Sequence, residues 1–244
     1  MNKYKKSLVL NFSERNLQNF LYLLRNPNLE SGIAYHLVNS FTLVLAAESE
    51  NLRAILEKNI LICDGKPLSF VLQKNGLAIE QIRGVDLMRN ALIDTESNAR
   101  HFFLGSTEKV LTSLIIQAKT LNPNILIVGQ HAPDFANDFS EELPGWIEML
   151  RRSKASIVWI GLGTPKQDFV VDHIAKSVPV HAIAVGAAFD FLSGNVKEAP
   201  KIFRVSGLEW LFRLILEPRR LAGRYIIGNY KFIKLILRSK WSVD

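Results

Sequence analysis

An Asp-Gly pair stands directly behind a short apolar run of the sequence. Asp64 and Gly65 follow Ile60–Cys63, whose aliphatic residues are typical of a buried strand. A carboxylate at the end of such a strand suits a general base, because burial raises its pKa towards neutrality. Asp-Gly pairs also occur often as simple turns. Asp64 is therefore our candidate base, with a turn as the alternative interpretation.

A glycine-containing loop at residues 161–167 follows a second apolar run. We expect Thr164 to cap the next helix with Pro165 at its first position, which leaves backbone N–H groups free to bind a diphosphate. The dinucleotide fingerprint G-x-G-x-x-G is incomplete, because Lys166 stands where the third glycine would fall. A tight turn is thus the alternative, although Lys166 and Gln167 place two polar side chains at the mouth of the loop.

A third candidate segment is Arg83-Gly84-Val85-Asp86. The planar fork of a guanidinium matches a phosphate, and Gly84 would let the backbone approach a ligand closely. A structural ion pair between Arg83 and Asp86 is the alternative.

Patterns typical of metal-dependent or nucleophilic enzymes are missing from the sequence. It contains no Asp-x-Asp, no paired histidine spacing, no P-loop and no Gly-x-Ser-x-Gly. An enzyme acting on a phosphate-bearing substrate would then stabilise developing charge with Arg, Lys and backbone dipoles. We expect no bound metal and no cofactor.

Short β-branched runs alternate with longer segments of helical spacing. This alternation predicts an α/β fold, with a Rossmann-like, mostly parallel sheet flanked by helices. The apolar runs cover residues 33–38, 60–63, 101–104, 125–128, 156–160 and 181–185, and helical spacing covers residues 42–57, 107–120 and 165–176. Ligands of such sheets bind beyond the carboxyl ends of the strands, where the candidate residues lie.

The composition is that of a globular protein. Of the 244 residues, 48% are hydrophobic and 22% are charged, which excludes a disordered or collagen-like chain. A single cysteine, Cys63, excludes a disulfide scaffold and fits a reducing compartment. No apolar run has the roughly 20 residues of a membrane-spanning helix, and the N-terminal run is too short for a signal peptide. We therefore expect a cytoplasmic protein.

The net charge of +7 lies wholly at one end of the chain. Residues 1–196 hold 19 basic and 19 acidic side chains, whereas residues 197–244 hold 11 basic and 4 acidic ones. Past Pro200, basic residues interleave with large aliphatic ones at helical spacing, and Pro218 separates two segments. We predict an α/β core over residues 1–200 and a basic amphipathic helical appendage over residues 201–244 that associates with an anionic membrane surface. A terminal helix docked on its own domain is the alternative.

Several motifs occur in a fixed order between residues 33 and 225. The most specific are Pro165-Lys166-Gln167 and Gly207-Leu208-Glu209-Trp210-Leu211. Together with Asp64-Gly65 and Arg83-Gly84-Val85-Asp86, they resemble the WecG/TagA/CpsF family of bacterial glycosyltransferases.

The resemblance implies transfer of a sugar, an N-acetylhexosamine or its uronic acid, from a UDP-sugar to a sugar carried on a polyprenyl diphosphate. The reaction would take place at the inner face of the plasma membrane, in cell-surface polysaccharide or teichoic acid synthesis. We expect an inverting, metal-independent transfer without nucleic acid as a partner, and the formation of a homo-oligomer stays open.

The resemblance also assigns the site. Asp64 would be the general base, and Arg83 and Gln167 would be further catalytic residues. The residues that we expect to bind the donor are Asn39, Gly105, Gly163, Pro165, Lys166, Gly186, Asp190, Arg219, Arg220 and Arg224.

Three positions depart from the family pattern. Leu37 replaces a threonine two residues before Asn39, Asp168 replaces the usual glutamate after Gln167, and Ala187 replaces a second glycine after Gly186. We expect these changes to affect which sugar is transferred more than the class of reaction.

Two other functions are compatible with the residues taken alone. The loop at residues 161–167 could hold a nucleotide in a binding module without catalysis. The basic appendage could be a nucleic-acid arm, but its many large aliphatic side chains argue against that function.

Overall fold

The computed structural model describes residues 10, 12–25, 29–136 and 138–238, except for the side chains of Arg220 and Arg238. The strands are β1 (Ile33–Val38), β2 (Ile60–Cys63), β3 (Arg100–Gly105), β4 (Leu126–His131), β5 (Ile157–Gly161) and β6 (His181–Ala184). The helices are α1 (Leu17–Leu24), α2 (Ser40–Glu48), α3 (Glu50–Leu56), α4 (Lys66–Lys74), α5 (Gly84–Ile93), α6 (Glu108–Leu121), α7 (Leu143–Ser153), α8 (Lys166–Ser177), α9 (Ala188–Leu192), α10 (Lys201–Val205), α11 (Glu209–Leu216) and α12 (Pro218–Arg238).

The six strands form one parallel sheet in the order β2-β1-β6-β5-β3-β4. The predicted α/β class is thereby confirmed, and each predicted strand overlaps an observed one. One predicted helix was wrong: the segment 42–57 is divided into α2 and α3, because Ser49 adopts an extended conformation and its hydroxyl caps Leu52 of α3. A serine at a helix start satisfies a backbone N–H that has no partner within the helix.

Alternating residues of each strand face opposite layers of helices. On β1, Tyr35 and Leu37 belong to the cluster that contains residues of α1, α5, α6 and α9. Ala34 belongs to the cluster on the other face, with α7 and α8. Near β2, a third cluster joins residues of α2, α3 and α4 to Phe232 of α12. The core therefore consists of two layers around the sheet, and the C-terminal helix contributes a buried side chain to it.

The C-terminal helix docks on the core, as the alternative interpretation of the basic segment predicted, while membrane association stays a prediction. α12 begins at Pro218 as predicted and packs on α2, with Leu221 and Phe232 buried. Other apolar side chains of α10–α12 are well exposed: Ile202, Val205, Ile215, Ile226, Ile227, Ile233 and Leu237. Trp241 and Lys240, which we expected to continue the amphipathic segment, lie outside the described residues. Of the described helices, none is long and apolar enough to cross a bilayer. The division into a core and an appendage at residue 200 stays a prediction.

A buried polar pair fixes α8 against the sheet. His36 Nδ1 of β1 and Asp168 Oδ1 of α8 are joined by a hydrogen bond of 2.9 Å, and both side chains are almost fully excluded from solvent. Asp168, one of the three departures from the family pattern, is thus part of the interior. Since α8 follows directly after the loop at residues 161–167, this pair also fixes the position of that loop.

The buried pair yields a test of stability. Asp168→Ala leaves His36 Nδ1 without its partner, and we expect a loss of about 1–3 kcal/mol in the free energy of unfolding, measured by denaturant titration. The matched control is Glu148→Ala, which removes an exposed ion pair with Arg152 within α7. It should cost less than about 0.5 kcal/mol. Equal losses in the two variants would contradict the importance assigned to the buried pair.

Candidate active site

A cavity of about 580 Å³ lies at the carboxyl ends of the strands and extends to α11 and α12. Its walls combine strand-end residues of the sheet with side chains of the C-terminal helices. Eight of the predicted site residues line it: Asn39, Asp64, Arg83, Gly163, Gln167, Gly186, Asp190 and Arg224. The parallel sheet therefore brings together most of the residues that the sequence singled out.

Asp64 stands at the end of β2 with its backbone tied to β1. Its N–H donates to Val38 O at 2.8 Å, and Gly65 has a positive φ of 116° that turns the chain into α4. The pKa of Asp64 is raised to about 7: burial and, after it, the Glu209 carboxylate raise the pKa, and together they outweigh Arg83, Arg213 and Arg224, which lower it. A carboxylate whose pKa lies near neutrality can accept a proton at physiological pH.

Arg83 is held by three carboxylates. Its Nε and Nη2 donate to the two carboxylate oxygens of Glu209 at 2.9 and 2.8 Å. Nη1 donates to Asp86 at 3.1 Å, and Glu198 accepts at 3.4 Å from both Nη atoms. The structural ion pair with Asp86, given above as the alternative, is therefore present. The fork that we assigned to a phosphate is occupied by the carboxylate of Glu209.

The side chain of Gln167 shapes the loop that precedes α8. Gln167 is buried, and its Oε1 accepts from the Gly163 N–H at 3.1 Å while its Nε2 donates to Thr164 Oγ1 at 3.3 Å. The expected cap was wrong by one residue: α8 begins at Lys166, Pro165 occupies the N-cap position, and the Thr164 hydroxyl is used by Gln167. Gln167 also takes one of the backbone N–H groups that we expected to be free.

Comparison of the chain with known proteins identifies its family. The family model described as Glycosyl transferase WecG/TagA/CpsF family matches residues 8–244. The chain belongs to this glycosyltransferase family. A relative from Bacillus spizizenii (strain ATCC 23059 / NRRL B-14472 / W23) is 26% identical over 235 residues, which cover 94% of this chain and 89% of the relative. That relative is an N-acetylglucosaminyldiphosphoundecaprenol N-acetyl-beta-D-mannosaminyltransferase.

Membership confirms the resemblance and the enzyme class expected from the sequence. It argues against a binding module without catalysis, since the matched family consists of transferases. The shared motifs, taken in combination, thus indicated the correct class.

Two other predicted residues of this glycosyltransferase accept hydrogen bonds near the cavity. Asn39 Oδ1 accepts from the N–H groups of Phe41 and Thr42 at 3.0 and 3.1 Å, which fixes the start of α2 at the cavity wall. Asp190 Oδ1 accepts from Asn195 Nδ2 at 3.1 Å. Asn39 therefore positions local backbone, Asp190 holds a neighbouring side chain, and both line the cavity.

The wall of the cavity does not include Gly105, Pro165, Lys166 or Arg219. A Cβ at Gly105 would lie 2.6 Å from Gly161 O, so its lack of a side chain serves the close packing of β3 and β5. Lys166 Nζ donates to Ala136 O and lies 4.2 Å from the centroid of the Phe135 ring. The side chain of Arg220 lies outside the described part of the structure. For these five residues, donor binding stays a prediction.

The sequence reasoning missed several cavity residues on the last helices of the transferase. Glu209 and Arg213 form an i,i+4 pattern, which normally indicates an exposed ion pair along one helix. Instead, Glu209 binds Arg83, while Arg213 Cζ lies 5.2 Å from the centroid of the Phe191 ring. Both charges fall within the Gly-Leu-Glu-Trp-Leu-Phe-Arg segment, so motif density was the one signal that could have placed them at the site. The other cavity residues that the sequence analysis did not assign include Gln81, Ser106, Arg204, Trp210, Tyr225 and Asn229.

Proposed function

We propose that this protein transfers an N-acetylhexosamine or its uronic acid from a UDP-sugar to a polyprenyl-diphosphate-linked sugar. By analogy with the name of the Bacillus relative, the favoured pair is N-acetylmannosamine as the transferred sugar and undecaprenyl-diphosphate-linked N-acetylglucosamine as the acceptor. The observation that carries the proposal is the Asp64 carboxylate, with a pKa raised to about 7, in a cavity that also holds Arg213 and Arg224.

In the proposed reaction, Asp64 removes the proton of the acceptor hydroxyl as its oxygen attacks the anomeric carbon. The new glycosidic bond forms while the bond from the anomeric carbon to the UDP oxygen breaks, and UDP leaves with the electron pair. Such a displacement inverts the anomeric configuration. The product of the relative is a β-mannosaminide by name, which an α-linked donor would give by inversion.

The leaving diphosphate requires positive charge in the cavity. Arg213 of α11 and Arg224 of α12 reach the cavity wall. Guanidinium groups stabilise phosphate oxygens by charge and by paired hydrogen bonds. We assign the charge that develops on UDP to these groups, without a metal ion.

The C-terminal helices would bring the enzyme to its acceptor. Exposed Ile226, Ile227 and Ile233 lie on α12 among lysines and arginines, an arrangement that suits the interface of an anionic membrane. Since α12 also contributes Arg224 and Tyr225 to the cavity wall, a bilayer on its exposed face would lie next to the site. We therefore propose a peripheral location on the inner face of the plasma membrane.

The role of Asp64 is tested by Asp64→Asn. We expect turnover of UDP-N-acetylmannosamine, on a lipid diphosphate that carries N-acetylglucosamine, to fall by about 10²–10⁴, the usual cost of losing a general base. Product mass identifies the transferred sugar. Asp138→Asn, in an exposed loop, is the matched control and should keep wild-type turnover. Wild-type turnover in the Asp64 variant would remove this residue from the mechanism.

Metal independence is tested by a chelator. Because Arg213 and Arg224 are assigned the charge on UDP, we expect excess EDTA to change the initial rate by less than about twofold. Rates are measured on dialysed enzyme with and without added Mg²⁺ or Mn²⁺. Loss of activity in EDTA that is restored by either ion would reverse the assignment.

Membrane association is tested with the double variant Ile233→Glu/Leu237→Glu in the full-length protein. Both side chains are more than half exposed, so the fold should persist. Since burying each aliphatic side chain contributes about 1.5–3 kcal/mol, flotation with anionic vesicles should show at least about a tenfold loss of binding. Ile116→Glu on α6, a comparably exposed position, is the control. Equal binding by all three proteins would exclude α12 as the membrane-binding element.

A further inference from the structure

Two carboxylates from distant parts of the chain share the cavity. Asp64 comes from the end of β2, and Glu209 comes from the first residue of α11. After burial itself, the charge of Glu209 is the strongest influence that raises the pKa of Asp64. Two like charges at one site weaken each other's ionisation, so the position of Glu209 bears on the chemistry of Asp64.

The position of Glu209 is fixed by Arg83. The bidentate contact uses both carboxylate oxygens, at 2.9 and 2.8 Å, and the side chains of Arg83 and Glu209 are only 10% and 22% exposed. Paired parallel hydrogen bonds of this kind are among the strongest and most directional in proteins. The contact joins the start of α5 to the start of α11 and so fixes α11 against α5.

Asp64 also faces three positive charges. Arg83, Arg213 and Arg224 each lower its pKa, and each belongs to a different part of the fold. A carboxylate surrounded by guanidinium groups alone would be a weak base, because opposite charges favour its ionised form. The arginines that suit a leaving diphosphate therefore oppose the basicity that proton removal requires.

Other titratable groups near Asp64 do not offset the effect of the arginines on its basicity. Lys66, Asp190, Arg204 and Tyr225 also line the cavity. Burial and the Asp64 charge raise the pKa of the adjacent Cys63 thiol to about 12, so this group stays neutral at physiological pH. Of the described carboxylates, Glu209 is the one that both lines the cavity and binds an arginine facing Asp64.

We propose that Glu209 is a positioning residue: it holds Arg83 in a bidentate ion pair and keeps Asp64 basic. This inference rests on the proposed role of Asp64 as general base.

Glu198 provides a matched control. It also accepts from Arg83, at 3.4 Å, and it binds Arg89 and Arg204, but it is not among the residues that line the cavity. Glu198→Gln therefore weakens the same cluster of ion pairs without removing a charge that acts on Asp64. Both variants weaken the ion pairs of Arg83, but only Glu209→Gln removes a charge that acts on Asp64. A difference in activity between them therefore reports the effect on Asp64 rather than the effect on packing.

The first test is the pH dependence of kcat/KM, which reports groups of the free enzyme. The wild type should show an acid limb near pH 7, from the Asp64 pKa. In Glu209→Gln the limb should move down by about one pH unit, because a repelling charge is lost and Arg83 is released towards Asp64. The plateau should fall several-fold, roughly as expected for a weaker base.

In Glu198→Gln, the control, the acid limb should stay in place. A limb that does not move in Glu209→Gln, or that moves equally in both variants, would overturn the proposal.

The second test needs no turnover. Because the pKa of Asp64 is higher in the folded than in the unfolded chain, its contribution to stability is present at low pH and is lost as pH rises from about 4 to about 7. Asp64→Asn should therefore raise the unfolding temperature at pH 8 more than at pH 4.5. In the Glu209→Gln background this pH-dependent gain should shrink, since Asp64 then has a lower pKa. Equal gains in both backgrounds would contradict the coupling.

The two tests separate failure of this inference from failure of the proposed function. Suppose that the Asp64→Asn variant has full turnover and that its stability gain is smaller in the Glu209→Gln background. The role of Asp64 as general base would then be refuted, whereas the effect of Glu209 on Asp64 would stand. If Asp64→Asn lacks turnover but its stability gain is equal in both backgrounds, Asp64 would remain the general base and the role of Glu209 would be refuted.

Discussion

Parallel pairing of the strands is the constraint on which the site depends. It places the carboxyl ends of neighbouring strands at one edge of the sheet, where Val38 pairs with Cys63 and Ile160 with Ala184. The residues that follow these strand ends therefore meet although they are far apart in sequence. The backbone bond from the Asp64 N–H to Val38 O shows how closely the ladder positions the candidate base. The helices pack on both faces, so this edge remains the place where a cavity can open.

Opposing electrostatic requirements coexist within that cavity. A diphosphate calls for positive charge, whereas a base loses strength beside it. Arg83 forms ion pairs with Asp86, Glu198 and Glu209. These carboxylates offset the positive charge of Arg83 and so reduce its effect on Asp64. Burial of Asp64 acts in the same direction as the Glu209 charge. The balance arises from four separate segments of the chain, none of which could maintain it alone.

Local sequence was sufficient for the sheet and for the candidate base, but not for the long-range contacts. Apolar runs bounded by turn residues marked every strand, because burial within a parallel sheet needs continuous aliphatic segments. The i,i+4 spacing of Glu209 and Arg213 is typical of a pair along one helix, and helical periodicity carries no information about a partner 126 residues away such as Arg83. The division of α2 from α3 depended on one backbone conformation at Ser49. The capping of the loop before α8 depended on the side chain of Gln167, which propensity rules for Thr164 and Pro165 do not consider.

The two faces of α12 have a consequence for how substrates would meet. Phe232 anchors one face in the core, while Ile226, Ile227 and Ile233 remain exposed. With a bilayer on the exposed face, as proposed above, a lipid-linked acceptor and the enzyme would diffuse within the same plane. Their encounter would then depend on surface density rather than on bulk concentration, while the water-soluble donor would still arrive in three dimensions. Diluting the acceptor with other lipids in the bilayer would slow its encounter with the enzyme. The encounter with the water-soluble donor would be unaffected.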